Sequence, residues 1–72
     1  MNRPGRSRCY EFRIRGVLGD TLLSAFPGLR AEVQEGETLL AGPLPDQAAL
    51  HGVLTHIEQL GLELLDVHRH RC

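Results

Sequence analysis

Residues 42–67, from Gly42 to Val67, read GPLPDQAALHGVLTHIEQLGLELLDV, and the fold turns on how this stretch is read. Leu50, Val53, Leu54, Ile57 and Leu60 recur at the three-and-four spacing that lines one side of an α-helix, while Gln47, His51, Thr55, Glu58 and Gln59 fall elsewhere. Pro45 suits a first-turn position that needs no N–H partner, and Asp46 can accept an orphan N–H or oppose the positive end of the helix dipole. Gly61 follows Leu60 and can take the left-handed conformation that stops a helix, after which LELLDV reads as a strand. Gly52, inside the helix, costs about 1 kcal/mol relative to Ala, so close packing of the helix on a sheet is expected at that point.

Upstream, Cys9 to Arg15 (CYEFRIR) alternates strictly, placing Tyr10, Phe12 and Ile14 on one side and Cys9, Glu11, Arg13 and Arg15 on the other. Between Gly16 and Phe26, Leu18, Leu22, Leu23 and Phe26 stand at helical spacing, and Pro27-Gly28 closes a short helix. Leu29 to Glu35 alternates again with Leu29, Ala31 and Val33 inward. Glu35-Gly36-Glu37 is a turn, and TLLAG forms a third strand ending at Pro43. The order β-α-β-β-α-β predicts an α+β, ferredoxin-like sandwich: a four-stranded antiparallel sheet in the order 4-1-3-2 with both helices on one face. Residues 9–70 form this one domain, and residues 1–8, polar and broken by Pro and Gly, form a flexible basic tail.

A chain of 72 residues makes a single domain that buries only about 60% of its unfolded surface, and association with a copy of itself would widen the thin margin of stability. No run approaches the roughly 18 apolar residues of a membrane span, and no signal-peptide core follows the N-terminus, so a cytoplasmic protein is expected. The formal net charge is -1, which neither recruits nor repels nucleic acid. All eight basic residues are Arg, five of them within the first fifteen positions, so a nucleic-acid accessory role through this arm is the weakest of the functional readings. The two cysteines match no zinc spacing and are too few for a stapled scaffold, so they are expected as free thiols.

In the expected strand order the chain's end, HRHRC, runs beside the start of the first strand. Cys9, His68, His70 and Cys72 then converge, and two thiolates with two imidazoles would suit zinc or copper. A Cys9–Cys72 disulfide is the competing use of the same corner. No other cofactor is expected. His51 and His56 stand five apart, not at the four-residue spacing of a shared metal, and Ser24 lacks the surroundings of a catalytic nucleophile, so no enzymatic activity is expected.

The uncovered sheet face is the stretch nearest to function. Alternation assigns to it Cys9, Glu11, Arg13 and Arg15, then Arg30, Glu32 and Gln34, then Leu39 and Ala41, and finally Leu64, Asp66 and His68. The Leu39-Leu40 and Leu64-Leu65 pairs leave the parity of the last two strands open. Arg13, Leu39, Ala41, Leu64 and Asp66 form a candidate interface of apolar residues among charges. Aromatics on the two central strands would mark single-stranded RNA binding of the RRM type, but Tyr10 and Phe12 point inward.

The segment LLAGPLPDQAALHGVLTHIEQLGLELLDV, with Phe26-Pro27-Gly28-Leu29 and Gly36-Glu37 before it, resembles a family of small bacterial β-α-β-β-α-β proteins common in actinobacteria and related phyla. The likeness covers about residues 9 to 69, and its most specific block is DQAALHG at Asp46 to Gly52. The family has no assigned activity, so the resemblance implies the fold and no catalytic residue. The expected function is a non-enzymatic interaction or regulatory module, a homodimer that also engages a larger protein. The alternative is a small-ligand or metal-binding domain.

Overall fold

The computed structural model describes residues 8–71, with side chains as far as Arg69. Six elements follow one another: β1 (Arg8–Arg15), α1 (Asp20–Leu23), β2 (Arg30–Gln34), β3 (Glu37–Leu44), α2 (Gln47–Gln59) and β4 (Leu64–Arg71). The strands form a single antiparallel sheet in the order β2-β3-β1-β4, which is the expected 4-1-3-2 order read from the other edge. The first strand begins one residue earlier than its alternation predicts.

Alternation in β1 does what period two requires. Tyr10, Phe12 and Ile14 are buried, and they form one core with Leu18, Phe26, Leu40, Leu44 and Ile57. Each such side chain removed from water contributes about 1.5–3 kcal/mol. Leu22, Leu23, Leu50, Val53, Leu54 and Leu60 pack around it from the two helices and their flanks, so the apolar stripe read in α2 meets the sheet as expected.

At the start of α2, Asp46 is the N-cap, and its side chain accepts a hydrogen bond from the Ala49 N–H at 2.9 Å. Pro45 therefore lies just outside the helix rather than in its first turn. At the other end the Gly61 N–H donates to the Glu58 carbonyl at 3.0 Å and the Leu62 N–H reaches back to that of Ile57 at 3.1 Å. With Gly61 at a φ of 75°, this is the paired bonding of a Schellman stop.

The first helix and the two strands after it need correction. The helix read across Gly16 to Phe26 shrinks to the four residues Asp20–Leu23, because its cap Gly19 offers no side chain to the first turn. Beyond Ser24 the chain tightens, with Ala25 bonding to Leu22 and Phe26 to Leu23. In consequence nothing covers β2: Ala31 and Val33 lie on the helix side, but both are exposed, Val33 to 56%. Finally, β3 does not end before Pro43. It continues to Leu44, and the missing proline donor is tolerated because β2 pairs with β3 only as far as Ala41, leaving one flank empty there.

The close approach expected at Gly52 occurs at Gly42 instead. A Cβ on Gly52 would meet nothing within 4 Å, whereas one on Gly42 would lie 2.7 Å from the Gly28 carbonyl oxygen and 2.8 Å from a Leu29 methyl. The β2–β3 hairpin closes through Glu35 and Gly36 at φ values of 49° and 79°, the double left-handed turn that matches strand twist.

Candidate functional site

The face of the sheet opposite the core presents its side chains in rows set by the strand register. One row runs Arg30, Ala41, Glu11, His68, and the next runs Glu32, Leu39, Arg13, Asp66. Leu39 and Ala41 are half-buried among these charges, as their parity predicted, while Leu40 turns inward and is buried.

Arg13 is the hub of the second row. One of its guanidinium nitrogens stands 3.3 Å from Glu37 Oε1 and another 3.6 Å from Asp66 Oδ2, and the same carboxylate oxygen lies 3.0 Å from His68 Nε2. Arg15 pairs with Glu63 at 2.9 Å at the margin. These groups are at least partly solvated, so each contact contributes at most about 1 kcal/mol to stability. Their effect is to hold a planar cation in a fixed place beside Leu39.

Leu64, expected on this face, belongs to the other. A bulge between Arg13 and Ile14 sets Asp66 opposite Arg13 but Leu64 opposite Ile14, so Leu65 is the extra residue and Leu64 returns to the core. The interface candidates thus divide: Arg13, Leu39, Ala41 and Asp66 share the open face, and Leu64 does not. Leu64 instead helps line a cleft of about 510 Å³ between α2 and β4, with His51, Leu54, Thr55, Ile57, Glu58 and Leu62. The sequence signal for that cleft is the Leu64-Leu65 pair, which interrupts the alternation that Leu62, Glu63 and Leu64 begin.

The strand order does bring the two ends of the domain together. Arg8 pairs with Arg71, and Cys9 with His70, so β4 persists through most of the HRHRC stretch. Cys9 is disulfide-bonded, which corrects the expectation of a free thiol, and a disulfide sulfur is not the thiolate that a metal needs. His68 lies on the same face but is engaged by Asp66. Of the four metal candidates, Cys72 lies outside the described residues, as does the side chain of His70. Among the described residues no group of three or more His, Cys, Asp or Glu side chains is placed to hold a metal ion. Of the basic arm expected over residues 1–8, residues 1–7 likewise lie outside them, and Arg8 belongs to β1.

The residue types of a hydrolytic site are used elsewhere. Ser24 Oγ donates to the Thr21 carbonyl at 2.7 Å, and His56 packs on the Phe26 ring with centroids 5.3 Å apart. Thr38 is a residue that sequence reasoning passed over. Fully buried, it donates from Oγ1 to the Gly16 carbonyl at 2.8 Å and accepts from the Leu18 N–H at 3.1 Å, tying the β1–α1 loop to the sheet.

The geometry defines a class: a small α+β domain with a sheet covered on one side only and a charged, weakly apolar face on the other. The chain belongs to the family described as a domain of unknown function (DUF8691), which it matches over residues 9–68, nearly the whole described fold. No curated protein and no solved structure matches it. Among the described residues no helix is long and apolar enough to cross a membrane.

Proposed function

We propose that this protein is a non-enzymatic interaction module that works as a homodimer in the bacterial cytoplasm, where reducing conditions would hold the Cys9 bond mostly open, with a ferredoxin-like sheet whose open face engages a larger protein. The observation that supports this reading most is the face itself. Leu39 and Ala41 form a small apolar floor, and Arg13, Glu37 and Asp66 stand around it in fixed ion pairs. Such a surface fits the polar-rimmed, apolar-centred make-up of protein interfaces, and Arg is a residue they favour. The small core argues the same way, since a second copy adds buried area that a chain of this length lacks.

Sedimentation equilibrium tests the reading. The expected species has twice the 8.0 kDa chain mass. A monomer throughout the accessible concentration range overturns the homodimer.

A second reading is supported by the cleft between α2 and β4. Its lining of Leu54, Ile57, Leu62 and Leu64 with His51, Thr55 and Glu58 at the rim has the make-up of a small-ligand site, mostly apolar with a few polar groups. Binding of an environment-sensitive apolar dye that is lost in Leu54→Glu supports this alternative, and equal binding by both proteins removes it. Zinc or copper at the Cys9 corner is the metal form of the alternative, and it requires reduction of the Cys9 disulfide first.

A further inference from the structure

We propose that β2 is the seam of the homodimer: two copies of Arg30–Gln34 pair antiparallel about Ala31, joining two four-stranded sheets into one continuous sheet. The inference rests on the self-association proposed above and names the surface that performs it.

β2 is an edge strand, hydrogen-bonded to β3 on one side only, and all five of its residues are exposed. Neither helix covers it, and no proline blocks its backbone. An unblocked edge of this kind is a template for another strand. A hollow of about 220 Å³ lined by Arg30, Ala31 and Glu32 lies at the same place.

The sequence of β2 then selects both the occupant and the register. A two-fold axis perpendicular to the sheet must pass beside one residue, which faces its own copy. An axis at Glu32 sets two carboxylates against each other, and one at Arg30 sets two guanidinium groups together. An axis at Val33 pairs Glu32 with Gln34, which leaves both charges of the strand unmatched, and places Ala31 opposite Glu35 in the turn. With the axis at Ala31, Arg30 faces Glu32 of the other copy and Glu32 faces its Arg30, both on the open side. On the helix side Ala31 meets Ala31, and Val33 meets Leu29. This one register satisfies charge twice and covers Val33, the exposed valine of β2.

Stacking two open faces together is the competing geometry. It would occupy the face that the larger partner is proposed to use, and it would leave Val33 on the bare edge strand in water. Pairing along β2 leaves that face uncovered and doubles its extent, with both copies presenting Leu39 and Arg13 to the same side.

Charge reversal tests the seam in the full chain. Arg30→Glu and Glu32→Arg each create two like-charge contacts, so each variant is expected to weaken self-association by roughly tenfold or more in sedimentation equilibrium. Circular dichroism controls for the fold. The double variant R30E/E32R restores the pairing, and so does an equimolar mixture of the two single variants, whose chains complement each other. A wild-type dimer whose affinity neither single variant changes overturns the β2 seam while leaving the homodimer standing. Weakened single variants that neither the double variant nor the mixture rescues overturn the register about Ala31. A wild-type protein that never dimerises overturns both readings.

Discussion

The carbonyl oxygen of Gly28 lies 2.7 Å from where a Cβ on Gly42 would stand, so the segment leading into β2 crosses β3 at a distance only glycine allows. A methyl group cannot share that space with a backbone oxygen unless the segment moves. Gly42→Ala is therefore expected to destabilise the fold by about 1–3 kcal/mol, the usual range for overpacking. Gly52→Ala should do the opposite. Gly52 is an exposed glycine inside α2 with open space around it, and the substitution gains about 1 kcal/mol of helix propensity. Urea midpoints that shift in opposite directions confirm the pair, and a midpoint unchanged by Gly42→Ala removes the close crossing.

Thr38 makes two hydrogen bonds from a position without solvent. Valine has nearly its shape and neither bond, so Thr38→Val strands the Leu18 N–H and the Gly16 carbonyl. The expected loss is about 1–3 kcal/mol. Thr38→Ser keeps the hydroxyl and should cost less. Native-state hydrogen exchange at the Leu18 amide distinguishes them: it should speed up in Thr38→Val and stay slow in Thr38→Ser.

The caps of α2 make the third pair. Asp46→Ala removes the acceptor that Ala49 uses and should cost about 1 kcal/mol. Asp46→Asn keeps an oxygen in the same place and should recover most of it. At the far end, Gly61→Ala forces a side chain into the left-handed region at a φ of 75° and should cost about 1 kcal/mol. Thermal unfolding followed at 222 nm by circular dichroism reads all three; equal stability of Asp46→Ala and wild type would rule out the cap.

The disulfide at Cys9 predicts that protein unfolded without reductant exposes no reactive thiol at that residue. Because the bond constrains the unfolded chain, reduction should lower stability by about 2–4 kcal/mol. Thiol titration in denaturant, before and after reductant, measures the first, and paired urea curves measure the second. A Cys9 that reacts fully in the unreduced protein contradicts the bond.

Arg13→Ala should leave stability within about 1 kcal/mol, because its partners Glu37 and Asp66 are themselves partly solvated. What remains of the difference should shrink in high salt. A larger, salt-independent loss would mean that the open face is structural rather than a surface for binding.

How far the chain could be read depended on the range of each signal. Tyr10, Phe12 and Ile14 declared their burial through simple alternation, and Leu50, Val53, Leu54 and Ile57 declared the inner side of α2, because both periods are built into the backbone of the element itself. The alternation of Leu29, Ala31 and Val33 held for Leu29, which packs against the core, and misled for Ala31 and Val33 for the same reason. It correctly identified the helix side of β2 but carried no information on whether a helix would reach that far. The four-residue α1 does not, and so a strand read as half-buried is wet on both sides.

The sequence alone thus determined the element order, the strand pairing and the face of most residues, since hydrophobic period and turn chemistry act within a few residues of the chain. Folding in three dimensions decided what depends on distant segments meeting. The bulge at Leu65 sent Leu64 back to the core, the crossing of Gly28 over Gly42 made one particular glycine indispensable, and the short reach of α1 left β2 bare. None of these follows from a local pattern, because each is a contact, or a missing contact, between parts of the chain that periodicity cannot relate.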